Sequence, residues 1–468
     1  MKRFLAIDLG AESGRAMLGT FDGGRIALEE IHRWPNEPVR LSTGLYWDTL
    51  RLFHEIRRAL SMCGGIALDG IGVDTWGVDF ALLDADGALA DNPRHYRDAR
   101  TNGMLDRAFA VVPREQIFAD TGIQFMQLNT LYQWYAMKLA GAPALRIARR
   151  MLFMPDLFNY WLTGVARAER SIASTSQFYD PFTKNWAAGL LRRFDLDATL
   201  LPEIAEPGER LGALLPEIAE SCGLSPQTPV YATACHDTAA AVAAVPAEHG
   251  DWCYISSGTW SLMGVEIPEP LINDRSLVLN FTNETGAGGR IRLLKNIAGL
   301  WLLQECRRAW SLAGTEYSYE QLTSLAASVK SPGVILDPDA FAEPGRMPDR
   351  IAAWCREARQ PVPEGPAAIT RAILESLALA YRNVLDSLEA LLGRRIETIH
   401  IVGGGSRNRL LNQLTANATG RTVVAGPVEA TAAGNVLVQA IGAGAIADLE
   451  EARGIVRASF PLERYSPE

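Results

Sequence analysis

The apolar positions of this chain come in short uninterrupted runs, broken by turns, and these runs alternate with helical stretches. Phe4-Leu5-Ala6-Ile7 has the length of a buried strand, and Ala16 to Phe21 reads as its return partner, so the chain opens on a predicted hairpin. The loop between them is longer than the two-residue turn of a tight hairpin and includes Gly10, Ser13 and Gly14. GIGVDTWGVDFALLD (70–84) predicts a second hairpin: Ile71 to Asp74, a turn at Trp76–Gly77, then Val78 to Leu83. Helical stretches follow at 102–110, 131–139 and 156–162. TPVYATACHDTAAAVAAV (228–245) reads as a strand running straight into an alanine-rich helix, and DWCYISSGTWSLMGVE (251–266) as a third hairpin. Beyond it come a helix over 297–312 and a proline- and charge-rich interval, 331–365, with one short helix at 350–359. A long helix at 367–392 follows, then a strand, three glycines and a helix, and finally a further strand, loop and helix. Strands alternating with helices in this way predict an α/β class with mixed sheets.

Repetition sharpens the picture. The first and third hairpins share one plan, an apolar strand, a Ser/Gly-rich turn and an apolar strand, and each opens one half of the chain. That is the pattern of an internal duplication. At 468 residues the chain exceeds the size at which a single core stops growing, so two domains with a cleft between them are expected, divided as 1–245 and 246–468. Two such turns would then face each other across the cleft. Small residues in series let backbone N–H groups approach a ligand closely, and phosphate oxygens are the usual ligand. A loose surface turn is the plain alternative for either one alone.

Charge and composition narrow the partners. The net charge of −9 argues against nucleic acid or an anionic membrane surface as the main partner, so an anionic ligand must be held by local donors, a few cations or a metal ion. No run of 18 apolar residues is present for a membrane span, and the apolar run after MKR is too short for a secretory segment. Six dispersed cysteines without a CxxC pair read as buried small residues, which together with the missing leader predicts a cytoplasmic protein.

Several residues carry candidate chemistry. Gly403, Gly404 and Gly405 end a strand and open a helix, where α/β sheets receive nucleotides; a tight turn is the alternative. No G-x-x-x-x-G-K-[ST] motif occurs, which excludes a P-loop, and Gly442-Ala443-Gly444 follows a helical run and reads as a helix cap. Asp237 begins a helix between His236 and Thr238. It reads either as a cap or as the acceptor of a hydroxyl proton in phosphoryl transfer, with His236 as a second possible base. Asp8 ends the first strand and reads as a ligand to a metal-bound water; Arg15 is a candidate for phosphate charge or a solvated strand end. Asp74, Trp76 and Asp79 around Gly77 suit a sugar, and equally an ordinary hairpin with a core tryptophan.

Taken together, AIDLGAESGR, DTWGVDFALLD, YRDARTNG, MLFMPDLF, HDTAAAV, SSGTWSLMG, LLKNIAGLWLLQE, HIVGGGSRN and AGPVEATAAGN resemble the FGGY carbohydrate kinases over nearly the whole chain, although the Phe-Gly-Gly-Tyr string itself is absent. The resemblance implies two ribonuclease-H-like domains, as in actin and hexokinase, closing on a sugar and ATP with Mg²⁺. It implies an N-terminal domain, 1–245, with the sugar site, and a C-terminal domain, 246–468, with the adenosine site. Ala11, Glu12, Ser13, Gly14 and Arg15 match the first phosphate turn, and Ser257 to Thr259 the second, with Thr259, Gln304 and Gly404 as ATP contacts. Gly77, His236, Asp237, Thr238 and Asn296 match the sugar pocket, Asp237 being the proton acceptor. Glu12 places a carboxylate inside the phosphate turn, a departure whose consequence the sequence leaves open. The implied sugar is a ketose, L-rhamnulose phosphorylated at C1, with L-fuculose and L-xylulose as sister readings. An actin- or chaperone-like ATPase is the rival of another class.

Overall fold

The computed structural model describes residues 1–248, 250–341 and 345–468. The chain forms two compact units, each assembled from separated segments. The first comprises Met1–Ala244, Glu266–Leu293 and Ala430–Ser459; the second comprises Val245–Val265, Leu294–Glu429 and Phe460–Glu468.

The sheet of the first unit contains β1 (Lys2–Leu9), β2 (Ser13–Phe21), β3 (Ile26–Pro35), β4 (Gly70–Thr75), β5 (Glu209–Ala213) and β6 (Pro229–Ala232), in the order β5-β6-β4-β1-β2-β3. β1, β4 and β6 run parallel, whereas β2, β3 and β5 are antiparallel to their neighbours. Strands covered on both faces read as unbroken apolar runs, and Phe4 to Leu9 is buried at every position. Leu5, Ile7, Ile71 and Val73 pack with Leu52, Ile56 and Leu60 of the helix Thr49–Met62. The helix Ala430–Gly442 also packs on β1 and β4, where Gln439 Nε2 donates to the carbonyl of Leu5 at 3.1 Å.

The first hairpin forms with a shorter loop than its sequence predicts. Only Gly10, Ala11 and Glu12 lie outside the strands; the N–H of Gly10 donates to Ser13 O at 3.0 Å, and Ser13, Gly14 and Arg15 already belong to β2. Gly14 is dictated by packing: it pairs with Trp34 on β3, and a Cβ there would run into the indole.

The second predicted hairpin does not form. The segment Phe80–Leu83 pairs with Arg150–Phe153 instead of returning along β4. β4 is a central strand with both edges taken, by β1 and β6, so no edge is left for a hairpin partner. Val78, at φ 69°, swings the chain away; its N–H donates to Thr175 Oγ1 at 3.1 Å, and its carbonyl accepts from Thr130 Oγ1 at 2.6 Å. The expected helices appear as Met104–Phe109, Thr130–Leu139 and Met154–Thr163. Thr233 to His236 separate β6 from the helix Asp237–Ala243, so the strand does not pass directly into it.

In the second unit, β7 (Trp252–Ser257) and β8 (Ser261–Ile267) form the third predicted hairpin. With β9 (Ile291–Ile297), β10 (Thr398–Val402), β11 (Thr422–Ala425), β12 (Glu463–Tyr465) and a short edge strand, Thr282–Thr285, they make a seven-stranded sheet that runs from Thr282–Thr285 through β9-β8-β7-β10-β11 to β12. β7, β10 and β11 are parallel, and β12 closes the edge antiparallel to β11. The centre of this sheet, a hairpin followed by two strands parallel to its first strand, repeats the centre of the first sheet, as expected of a duplication. The helix expected from 297 starts at Trp301, because Gly299 lies so close to Ser261 that a Cβ would meet its backbone N at 2.6 Å. Asn296 consequently sits on β9. The interval 331–365 holds a 3₁₀ turn, Pro338–Phe341, and the helix Met347–Glu357, with part of the interval outside the described residues. The long helix spans Gly365–Leu392. All six cysteines are free and buried, and among the described residues no helix is long and apolar enough to cross a membrane.

Overpacking a tight contact costs about 1–3 kcal/mol. Gly14→Val is therefore expected to lower the unfolding free energy by that amount in urea denaturation; an unchanged midpoint would contradict the Trp34 contact.

Candidate active site

Three parallel strands of the first unit carry carboxyl groups at or just beyond their C-terminal ends: Asp8 on β1, Asp74 on β4 and Asp237 after β6. Register sets the first two side by side, since Asp8 pairs with Asp74 on one flank and with Arg15 on the other. Arg15 donates to Asp8 Oδ2 from Nε at 2.8 Å and from Nη2 at 2.6 Å. Arg15 is thus an ion-pair partner of Asp8 rather than a solvated strand end. Asp74 is fully buried and accepts from Asn435 Nδ2 at 2.5 Å. Burial, with the charges of Asp8 and Asp237 added, lifts its pKa well above the carboxylate range, against the pull of the Asn435 hydrogen bond.

Asp237 opens the helix Asp237–Ala243, where the helix dipole favours an acid, and its side chain stays 30% exposed, within reach of a ligand. Thr238 Oγ1 donates to Asp237 Oδ1 at 3.1 Å, and His236 Nε2 lies 3.5 Å from the same oxygen. Its pKa is raised, first by burial and then by the charge of Asp8, with His236 opposing. The segment before it is held from below. Glu169 Oε2 accepts from Cys235 N at 3.0 Å and from Ser171 Oγ at 2.5 Å, and Ser171 Oγ in turn accepts from His236 N at 3.1 Å. Thr75 N donates to Cys235 O at 2.9 Å, which ties the segment to the end of β4.

Gly77 is close to this segment: a Cβ there would stand 3.3 Å from His236 Nε2 and 3.4 Å from Thr175. The structure therefore brings Gly77, His236, Asp237 and Thr238 together. Asp79 and Trp76 serve the scaffold. Asp79 Oδ2 accepts from Trp47 Nε1 at 2.6 Å, Trp76 Nε1 at 3.0 Å and Tyr96 N at 3.1 Å, and Oδ1 accepts from Gln133 Nε2 at 2.9 Å. Burial pushes the Asp79 carboxyl up to about 6 despite these donors, and the Trp76 ring packs on Trp47 at 3.9 Å between centroids.

Behind His236 lies a buried pair. Arg292 Nη2 donates to Glu284 Oε2 at 2.9 Å and stands 3.1 Å from His236 Nδ1. Burial alone would raise the Glu284 pKa, but the opposing pull, led by the Arg292 charge, outweighs it and holds the carboxyl below its usual range. Sequence reasoning missed Arg292, Glu284, Asn435 and Glu169. For Arg292 the signal was a charged residue set among the apolar positions of IRLL (291–294), since a buried guanidinium must be paired. For Asn435 it was the polar Asn435/Gln439 pair, one helical turn apart in an otherwise apolar helix.

The remaining predicted residues belong to the second unit. Thr259 lies in the β7–β8 turn and accepts from Gln304 Nε2 at 3.2 Å through Oγ1, while its carbonyl accepts from Trp301 N at 3.1 Å. Gly403, at φ 85°, and Gly405 both abut Ser257: a Cβ on Gly403 would stand 3.1 Å from its carbonyl, and one on Gly405 would overlap its hydroxyl. Gly404 has open space where a Cβ would be. Asn296 is half-buried on β9 and belongs to this unit, not to the one holding the other predicted sugar residues. In the first loop Ala11 is half-buried and Glu12 is exposed, its carbonyl accepting from Asn36 N at 2.9 Å. Among the described residues no three His, Cys, Asp or Glu side chains are grouped to hold a metal directly.

Known proteins resemble this chain in sequence and in fold. The profile "FGGY family of carbohydrate kinases, N-terminal domain" matches residues 4–244, and its C-terminal counterpart matches residues 253–443. A rhamnulokinase from Bacteroides thetaiotaomicron is 45% identical over 471 residues, covering 100% of this chain and 96% of the relative. One from Oceanobacillus iheyensis is 38% identical, covering 99% and 98%. Among solved structures, a ligand-bound xylulose kinase from Lactobacillus acidophilus superimposes with a TM-score of 0.82 at 16% identity, covering 100% of this chain and 94% of that one. Plasmodium falciparum glycerol kinase with ADP gives 0.78 at 15%, covering 100% and 95%; at these identities the likeness concerns the fold alone. With both halves matched and full-length relatives at this identity, the chain belongs to the FGGY family of carbohydrate kinases.

Proposed function

We propose that this kinase transfers the γ-phosphoryl group of ATP to the C1 hydroxyl of L-rhamnulose. The observation that carries the reading is Asp237, an accessible carboxylate with a raised pKa, fixed beside His236 and Gly77. The relatives that bear the name rhamnulokinase at 38–45% identity point to the sugar. In this reading Asp237 takes the hydroxyl proton as the oxygen attacks phosphorus in line, and Gly77, His236, Thr238 and Asn296 hold the sugar. Ala11, Glu12, Ser13, Gly14 and Arg15 bind phosphate, largely through backbone N–H groups, and Thr259, Gln304 and Gly404 hold ATP. Mg²⁺ supplies charge neutralisation at the triphosphate when bound, with Asp8 holding one of its waters. Domains divided at 1–245 and 246–468 and a cytoplasmic location complete the proposal; the six free, buried cysteines fit that location.

Four measurements test it. Asp237→Asn keeps shape and hydrogen bonding but cannot take the proton, so turnover should fall about 10²–10⁴-fold with ATP affinity kept; turnover within a few-fold of wild type would remove Asp237 from this role. The base works only deprotonated, so its raised pKa moves the acid limb of the kcat/KM profile above the ordinary aspartate range, and activity rises with pH through that limb. A limb at or below that range would contradict the assignment.

Gly404→Val places a side chain in open space and strains nothing in the fold. Calorimetry should show weakened ATP binding with sugar binding and thermal stability unchanged. Intact ATP affinity would take Gly404 out of the nucleotide site.

On a panel of ketoses, L-rhamnulose should give the highest kcat/KM, L-fuculose and L-xylulose lower values, and glycerol or D-xylulose almost none. A methyl-binding wall rejects an added hydroxyl by only about 10²-fold, whereas groups that pair ring hydroxyls discriminate more strongly. D-Xylulose or glycerol as best substrate would overturn the sugar assignment and leave the kinase family untouched.

A further inference from the structure

The orientation of a proton on His236 decides what this residue can offer a sugar, and Arg292 supplies the means to fix it. We infer that Arg292 locks His236 as a neutral imidazole protonated at Nε2, so that the ring presents a hydrogen-bond donor toward Gly77 and Asp237 and cannot act as a base there. This rests on the reading of His236 as a sugar contact.

A guanidinium is a donor at every nitrogen and keeps its proton in proteins. Arg292 is fully buried, and its Nη2 carries two hydrogens and has two acceptors in reach: Glu284 Oε2 at 2.9 Å and His236 Nδ1 at 3.1 Å. Donation to Nδ1 occupies the lone pair of that nitrogen, which leaves the ring proton on Nε2. The opposite tautomer would aim an Nδ1–H at Glu284 Oε2, 3.4 Å away and beyond the usual N–H···O distance, and would set it against an N–H of Arg292. An imidazolium would face the carboxylates of Glu284 and Asp237 at 3.4 and 3.5 Å, but it would set an Nδ1–H against the Arg292 N–H group at the shorter distance of 3.1 Å and a second cation beside the guanidinium. On the other face, Nε2 lies 3.5 Å from Asp237 Oδ1, too long for a good hydrogen bond, and 3.3 Å from where a Gly77 side chain would begin. The Nε2–H is therefore directed at the space that only a glycine at position 77 leaves clear. A sugar oxygen there, hydroxyl or carbonyl, meets a donor; Asp237 remains the proton acceptor. Arg292 acts through His236 and is a positioning residue.

The test is nitrogen NMR on protein labelled with ¹⁵N in the histidine rings, with His236→Gln used to assign the ring. Wild type should show a pyridine-type Nδ1 and a pyrrole-type Nε2 across neutral pH; a protonated Nδ1 or an imidazolium overturns the inference. Arg292→Met combined with Glu284→Gln removes both charges together and leaves no uncompensated ion in the core. In that variant the ring should lose its fixed tautomer, and KM for the sugar should rise about tenfold, the worth of one hydrogen bond, with kcat and KM for ATP largely kept. A double variant that keeps the wild-type ring signature removes Arg292 from this role. Should it fail to fold, Glu284→Gln alone retains the Arg292 donor and must retain the wild-type tautomer; a changed tautomer there overturns the inference. Adding L-rhamnulose to wild type should shift Nε2. A ring that shows the stated tautomer but ignores the sugar overturns the sugar contact and leaves the Arg292 lock standing.

Discussion

Like charges at one sheet edge must be offset, and the first unit is organised around that constraint. Parallel pairing of β1 with β4 puts Asp8 beside Asp74, and the segment after β6 delivers Asp237 to the same end. Three ionised carboxylates there would repel one another in a poorly solvated site. The structure answers differently at each. Asp8 receives Arg15 from the neighbouring strand, Asp74 is buried, which favours its neutral acid against the pull of the Asn435 hydrogen bond, and Asp237 stays partly exposed. Only the last combines access with an environment that strengthens it as a base.

The surrounding scaffold fixes these positions with buried polar groups drawn from distant parts of the chain. Glu169 and Ser171 hold the segment before Asp237, Asp79 gathers four N–H donors from the segments around Trp76, and Gln439 braces Asn435 at 2.6 Å. A buried acid of this kind tolerates loss of its partners poorly, since each unmet donor or acceptor carries its full desolvation cost. The price of rigidity is paid in places remote from the ligands.

The two sheets share one central order, a hairpin followed by two parallel strands, yet their strand ends carry different chemistry. At the parallel strand ends of the first sheet stand Asp8, Asp74 and the His236–Thr238 segment; at those of the second stand Ser257, Thr259 and the three glycines. Glycine at 403 and 405 answers a steric demand made by Ser257, whereas position 404 is open to a side chain and is glycine for a reason outside the packing. The same contrast separates Gly14, confined by Trp34, from the loop residues Ala11 and Glu12 that precede it.

Local pattern sufficed wherever the physics was local. Unbroken apolar runs marked the buried strands β1, β2, β7, β8 and β10; Gly- and Ser-rich turns marked the hairpins; and the distinctive blocks around HDTAAAV and SSGTWSLMG carried the family. Through that resemblance the sequence also grouped Gly77, His236, Asp237 and Thr238, which the fold brings side by side, with Asn296, which stands in the other unit. It misread GIGVDTWGVDFALLD as a hairpin, since an apolar strand looks the same whether its neighbour is the next segment or one far along the chain, and only tertiary pairing gave both edges of β4 to β1 and β6. It stretched the first turn over Ser13 and Gly14 for a related reason: Gly14 answers to Trp34, a residue twenty positions away. The partners of the candidate site were decided by the fold alone. Arg292 and Glu284 reach His236, and Asn435 reaches Asp74, across separations of 56, 48 and 361 residues, from 292 to 236, 284 to 236 and 435 to 74. Sequence periodicity reports which face of an element is buried; which side chain waits on the other side of that face is settled only when the elements pack.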